Sequence, residues 1–199
     1  RILGGLVDLR STTTLPLGSR SYVSVDVYQA TAYSEHRIGE RDAVSFAGRR
    51  SYIDAVLNPI LNDGSRRIQA PRYYDFQARW MHKTKADGLF DAFFFLSDDT
   101  FRFLGPEDEG SYIQTAFGTS FQKLRLQYTQ KLEEDWRIET TVLGGPQSKE
   151  FQFEGNGEAY ERPFLPTARL EIFRPNKDDQ IGWRFGLDLL AGVDKYLYD

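Results

Sequence analysis

The chain has 199 residues, room for one domain, and its net charge of −4 with a pI of about 5.3 gives no basic footprint for nucleic acid. It has no cysteine, which excludes disulfides, thiolate zinc sites and cysteine nucleophiles, and with His36 and His82 as its two histidines it cannot build a His-rich metal cluster. No run approaches the ~18 apolar residues of a membrane helix, but a mean hydropathy of −0.51 leaves membrane strands open, because alternating strands average out.

The pattern predicts about eight long strands, paired as hairpins. The first hairpin runs from about Tyr22 to Arg37, turns at Ile38-Gly39-Glu40 and returns over Arg41 to Tyr52. Within it, Val23, Val25 and Val27 change phase to Tyr28, Ala30 and Ala32, which predicts a bulge. A short helix is expected over Ile53 to Leu57, stopped by Pro59. The second hairpin runs Arg72 to Thr84 and Leu89 to Phe103 around Lys85-Ala86-Asp87-Gly88. Ala92 to Leu96 is apolar on both faces there, so something must cover the inner side.

The third hairpin runs Thr115 to Leu132, turns at Glu133-Glu134-Asp135 and returns from Trp136 to about Phe153. The fourth runs Arg162 to Phe173, turns at Pro175 to Asp179 and returns from Gln180 to Tyr198. Gly, Asn and Asp in these turns tolerate the backbone angles that turns require. The last strand alternates most clearly. Ile181, Trp183, Phe185, Leu187, Leu189, Ala191 and Val193 share one face; Gly182, Arg184, Gly186, Asp188, Leu190, Gly192 and Asp194 share the other. Fourteen such residues span roughly 45 Å, enough to cross a ~25 Å apolar band at a 45° tilt.

Connections inside hairpins are short, whereas Ile53 to Pro71, Leu104 to Tyr112 and Glu154 to Glu161 are long. Short turns on one rim and long loops on the other predict an all-β, antiparallel up-and-down transmembrane β-barrel with its short rim periplasmic. The aromatic content of 15%, with Trp80, Trp136 and Trp183 beside the short turns, suits interfacial girdles. No signal peptide opens the chain, and Arg1-Ile2-Leu3-Gly4-Gly5 reads as a start inside something longer.

The opening Gly4-Gly5-Leu6-Val7-Asp8-Leu9-Arg10-Ser11 resembles the end of the plug domain in TonB-dependent outer-membrane receptors. A linker from Thr12 to Gly18 then leads into the first strand. Arg49-Arg50-Ser51-Tyr52-Ile53-Asp54 and Ala70-Pro71-Arg72-Tyr73-Tyr74-Asp75 are similar to the early barrel of some such receptors. The resemblance implies residues 1–14 as plug end and linker, and 15–199 as the first part of a barrel of about 22 strands. It further implies location in the bacterial cell outer membrane and uptake of an unidentified solute, without catalysis or cofactor. The implied partners are outer-membrane lipid and lipopolysaccharide, the remaining strands and plug, and TonB through an upstream segment. Two other readings are a structural barrel component of an envelope complex and a small soluble β-barrel binding an apolar ligand.

Arg79, Arg125, Glu139, Arg169, Glu171, Arg184 and Asp188 are the expected lumen-facing wall, either packing a plug, lining a solute path or merely solvated. Arg169 and Glu171 are placed to pair with Asp188 and Arg184. Arg49, Arg50, Asp98 and Asp99 are outer-rim ligand candidates, with Glu107, Asp108 and Glu109 extending the acidic group. The acidic spacing matches no calcium loop, so a solvated loop is the favoured reading. His36 and His82 beside the short turns, with no G-x-S-x-G run, leave no hydrolase arrangement near the outer rim.

Overall fold

The computed structural model describes residues 12, 14–53, 55, 67–104, 114–153, 157–174 and 182–198. They form one antiparallel sheet of twelve strands. The strands are β1 (Arg20–Val25), β2 (Gln29–Ile38), β3 (Asp42–Ser51), β4 (Arg67–Lys83), β5 (Leu89–Leu104) and β6 (Gln114–Lys131). They continue with β7 (Arg137–Gly144), β8 (Gln147–Phe153), β9 (Gly157–Glu161), β10 (Thr167–Arg174), β11 (Trp183–Leu190) and β12 (Tyr196–Tyr198). The order is a meander, β1 through β7 and then β10 and β11, and the sheet does not close into a barrel. Among the described residues β1 and β11 each have one neighbour, so the sheet has two open edges.

The expected strand from Tyr22 to Arg37 is two strands. Where a bulge was predicted, the chain reverses. Asp26 Oδ1 accepts the backbone N–H of Tyr28 at 2.7 Å and of Gln29 at 2.9 Å, and Asp26 N–H donates to Gln29 O. A carboxylate closing its own turn in this way supplies the reversal that the apolar phase change only hinted at. β1 then lies beside β2, with Val23 against Ala32 and Val25 against Ala30.

The remaining hairpins match expectation closely. Gly39 takes φ +67° in the β2–β3 turn, Asp87 takes φ +62° in the β4–β5 turn, and Glu134 and Asp135 are left-handed in the β6–β7 turn. Thr84 supports the middle one, its hydroxyl accepting the Gly88 N–H at 2.9 Å. Ile53 and Ala55 are helical, and the rest of the expected helix lies outside the described residues. The rim asymmetry is weaker than predicted. β9 begins at Gly157, so the third long loop shrinks to 154–156, while 175–182 on the opposite rim is longer.

Three long strands are each broken at one level. β7 and β8 both pair with β6, Leu124 against Gly144 and Phe121 against Gln147, without a change of register. β9 and β10 likewise follow β8 and β7, and β12 and β11 follow β9 and β10. The breaks fall at Gly145-Pro146, at Arg162 to Pro166 and at Ala191 to Lys195. Pro146, Pro163 and Pro166 have no N–H to give to the ladder. Gly145 sits at φ +142°, and a Cβ there would collide with the Gln122 carbonyl oxygen. The breaks line up as a crease in the strand pattern, and backbone bonds run on across it: Phe164 and Val193 bond each other both ways, and Gln122 N–H donates to Pro146 O.

The sheet has little buried core. Ala43, Met81 and Ala116 are its buried hydrophobic residues among those described, while Trp183, Phe185, Leu187 and Leu189 are all more than half exposed. Register puts Phe46, Ala78, Phe94 and Leu124 in one row, and Val44, Trp80, Ala92, Leu126, Val142, Ala168 and Leu189 in another on the same face. Along these rows that face is apolar and largely exposed, and Arg79, Asp91, Arg125, Arg169 and Asp188 lie on the other.

Candidate functional site

Because side chains alternate, every second residue of each strand joins one wall. On the polar face Arg79 and Arg125 flank Phe93 in register across β4, β5 and β6, and both reach diagonally to Asp91, two residues before Phe93 on β5. Arg79 grips Asp91 with two bonds, Nε to Oδ1 at 3.0 Å and Nη2 to Oδ2 at 2.7 Å. Arg125 Nη2 reaches the same Oδ2 at 3.0 Å. Asp91 is 4% exposed. Burying a carboxylate is costly unless it is paired and hydrogen-bonded, and here two guanidiniums do both.

Asp91 was not singled out from sequence. The signal was its parity: it leads the odd-numbered side of β5, which continues through Phe93 and Phe95 onto the polar face. Those two rings answer the expectation that something must cover this stretch. The Arg125 guanidinium lies over Phe93, 5.4 Å from its centroid, and Phe95 meets Phe121 edge-on at 5.1 Å.

The chain before β1 also lies on this face. Arg79 Nη2 donates to Thr12 O at 2.7 Å, and Arg37 Nη1 donates to Pro16 O at 3.3 Å. Thr12 and Pro16 share a cavity wall with Arg20, Tyr33, Glu35, Met81 and Arg79. Arg20 is itself bound to Glu35 at 3.0 Å.

The expected wall residues on the last strands behave in part as predicted. Arg169 and Asp188 form a two-bond pair, with Nη2 to Oδ2 at 2.9 Å. Arg184 instead lies over the Phe173 ring, 4.9 Å from its centroid, because register sets it against Phe173. Glu171 stands opposite Gly186 on one side and Glu139 on the other. Two carboxylates directly opposed repel, so this part of the wall is acidic.

The outer-rim candidates divide between the two faces. Arg49 points to the polar face, where Nε donates to Asp75 Oδ2 at 2.7 Å and the guanidinium stacks over Tyr73. Tyr73 Oη donates to Gln29 at 2.8 Å, and Asp99 stands beside Tyr73 in register. Arg50 and Asp98 flank Tyr74 on the apolar side, forming with Ser120, Ser148 and Arg162 a polar row above the apolar ones. Glu107, Asp108, Glu109 and the plug-like residues 4–11 lie outside the described residues.

Both histidines sit beside the turns named from sequence. His36 Nε2 meets Ser34 Oγ at 2.7 Å. His82 Nδ1 and Trp80 Nε1–H share Asp42 Oδ1 at 2.9 and 3.0 Å. Among the described residues no group of three or more His, Cys, Asp or Glu gathers as metal ligands. Nor among the described residues is any helix long and apolar enough to cross a membrane, which leaves strand crossing open.

The architecture defines the chain as all-β, a large open antiparallel meander. Comparison with known protein families, with curated proteins and with solved structures found no match.

Proposed function

We propose that this chain is a wall segment of a bacterial outer-membrane β-barrel, serving uptake of a solute across that membrane. The observation that carries this reading is the exposed apolar face. Leu187 and Leu189 are 58% and 60% exposed on one side of β11, while Asp188 pairs with Arg169 on the other. An isolated water-soluble sheet would have to hide such a face, whereas lipid covers it at no cost. Trp136, Trp183 and Trp80 lie toward the rim of the β2–β3, β4–β5 and β6–β7 turns, as membrane-interface anchors would.

The finer assignment, a TonB-dependent receptor with the plug end at residues 1–14, rests on the resemblance of residues 4–11. The contacts of Thr12 and Pro16 with Arg79 and Arg37 support it, since they lay the entering chain on the wall where a plug would stand. The open edges of β1 and β11 support further strands completing the barrel. The small soluble barrel is disfavoured, because it would need closure and an apolar interior, and this sheet is open with Arg79, Asp91, Arg125, Arg169 and Asp188 opposite its apolar rows.

The deciding experiment is fractionation of the full-length protein, with inner and outer membranes separated and heated and unheated samples compared on a gel. Recovery in the outer membrane with a heat-modifiable band is expected. Recovery in the soluble fraction sinks the reading.

A further inference from the structure

We propose that Arg79 and Arg125, over Phe93, form a binding site on the polar face for a small aromatic carboxylate. It rests on the uptake reading for access to that face and deepens it by naming a class of solute. Two guanidiniums share a single carboxylate here, so Asp91 neutralises only one of them. Arg125 Nε is shielded from solvent and has no hydrogen-bond partner, which is rare for a buried donor. Both arginines line a cavity of about 340 Å³ whose other walls include Tyr33, Ser45, Gln77 and Phe93.

The neighbouring charges are already engaged. Glu35 accepts from Arg20 and from Tyr33 Oη, and Lys123 Nζ donates to Gly145 O. The cavity therefore keeps one uncompensated positive charge. The planar fork of a guanidinium matches the two oxygens of a carboxylate. Phe93 and Tyr33, with Phe46, Ala47 and Ala78, give the cavity an apolar lining for an aromatic body, which an inorganic anion would leave unused.

The test is titration calorimetry of the full-length protein in detergent with benzoate, alongside benzyl alcohol and inorganic phosphate as probes. Saturable benzoate binding is expected, at least tenfold weaker in Arg125→Gln, with benzyl alcohol and phosphate each at least tenfold weaker than benzoate. Arg125→Gln leaves the two Arg79 bonds to Asp91 intact, and a heat-modifiable band verifies its fold. Gln77→Glu, which puts a second carboxylate in the cavity, should abolish binding if the first variant does not fold. No saturable binding to the folded protein, equal affinity in either variant, or phosphate binding as tightly as benzoate overturns the site. Binding is read without transport, so these failures leave the uptake reading standing. Soluble fractionation sinks that reading whatever the titration gives.

Discussion

Asp91 is the residue on which the polar wall depends most. Removing it strands two arginines, one of them 14% exposed at the side chain, without their counter-charge. Breaking a buried pair from one side costs about 3–5 kcal/mol, so Asp91→Ala should lower unfolding stability in urea by that order. Asp188→Ala breaks a pair of the same chemistry that is more than half exposed and screened by solvent, and should cost far less. Equal losses would mean that Asp91 is not the anchor its burial suggests. Gly145 is the second critical residue. Its positive φ and the close Gln122 carbonyl make Gly145→Ala costly by at least ~1–3 kcal/mol. Gly157, with open space around it, should tolerate alanine within about 0.5 kcal/mol.

At the scale of elements, β1 is the informative strand. It is exposed along its whole length and held by one ladder and one turn. The Asp26 carboxylate that closes that turn is held below the usual range by the N–H bonds of Tyr28 and Gln29. A depressed folded pKa gives stability that is present above the unfolded value and is lost as pH falls through the folded value. β1 amide exchange should therefore accelerate, relative to β3, as pH drops below about 4. Asp26→Ala should show that faster exchange already at neutral pH. A β1 that stays equally protected in both cases would remove the turn from this role.

β1 also shows where sequence reading stopped. Alternation exposed β2 to β8, β10 and β11 because period-two burial is written residue by residue, whereas β9 lay in the stretch read as the loop from Glu154 to Glu161. The reversal at Asp26 was hidden because a bulge and a three-residue turn produce the same phase change, and the deciding bond is made by a side chain. Arg169 with Asp188 was legible, since both lie in the same hairpin. Arg79, Asp91 and Arg125 come from three strands, and their meeting needed the register of two ladders.

At the scale of the whole molecule, the apolar face decides. If lipid covers it, Leu187→Arg should cost about 2–4 kcal/mol for folding into vesicles, as a cation does near mid-bilayer. Leu190, exposed on the polar face of the same strand, should accept Arg within about 0.5 kcal/mol. Equal tolerance at both positions would argue against lipid on the Leu187 face.

The crease extends this argument. Hydrocarbon gives no partner to a backbone carbonyl, so a span with prolines in its ladder is poorly suited to the bilayer interior. On the apolar side the crease is also where Phe164 and Val193 give way to Arg162 and Lys195. Backbone and side chains thus change character at one height. On the outer-membrane reading the broken strands would carry their own waterline: spin labels on β10 and β11 should lie within reach of a lipid-soluble quencher such as oxygen, and labels on β8 and β9 within reach of a water-soluble one.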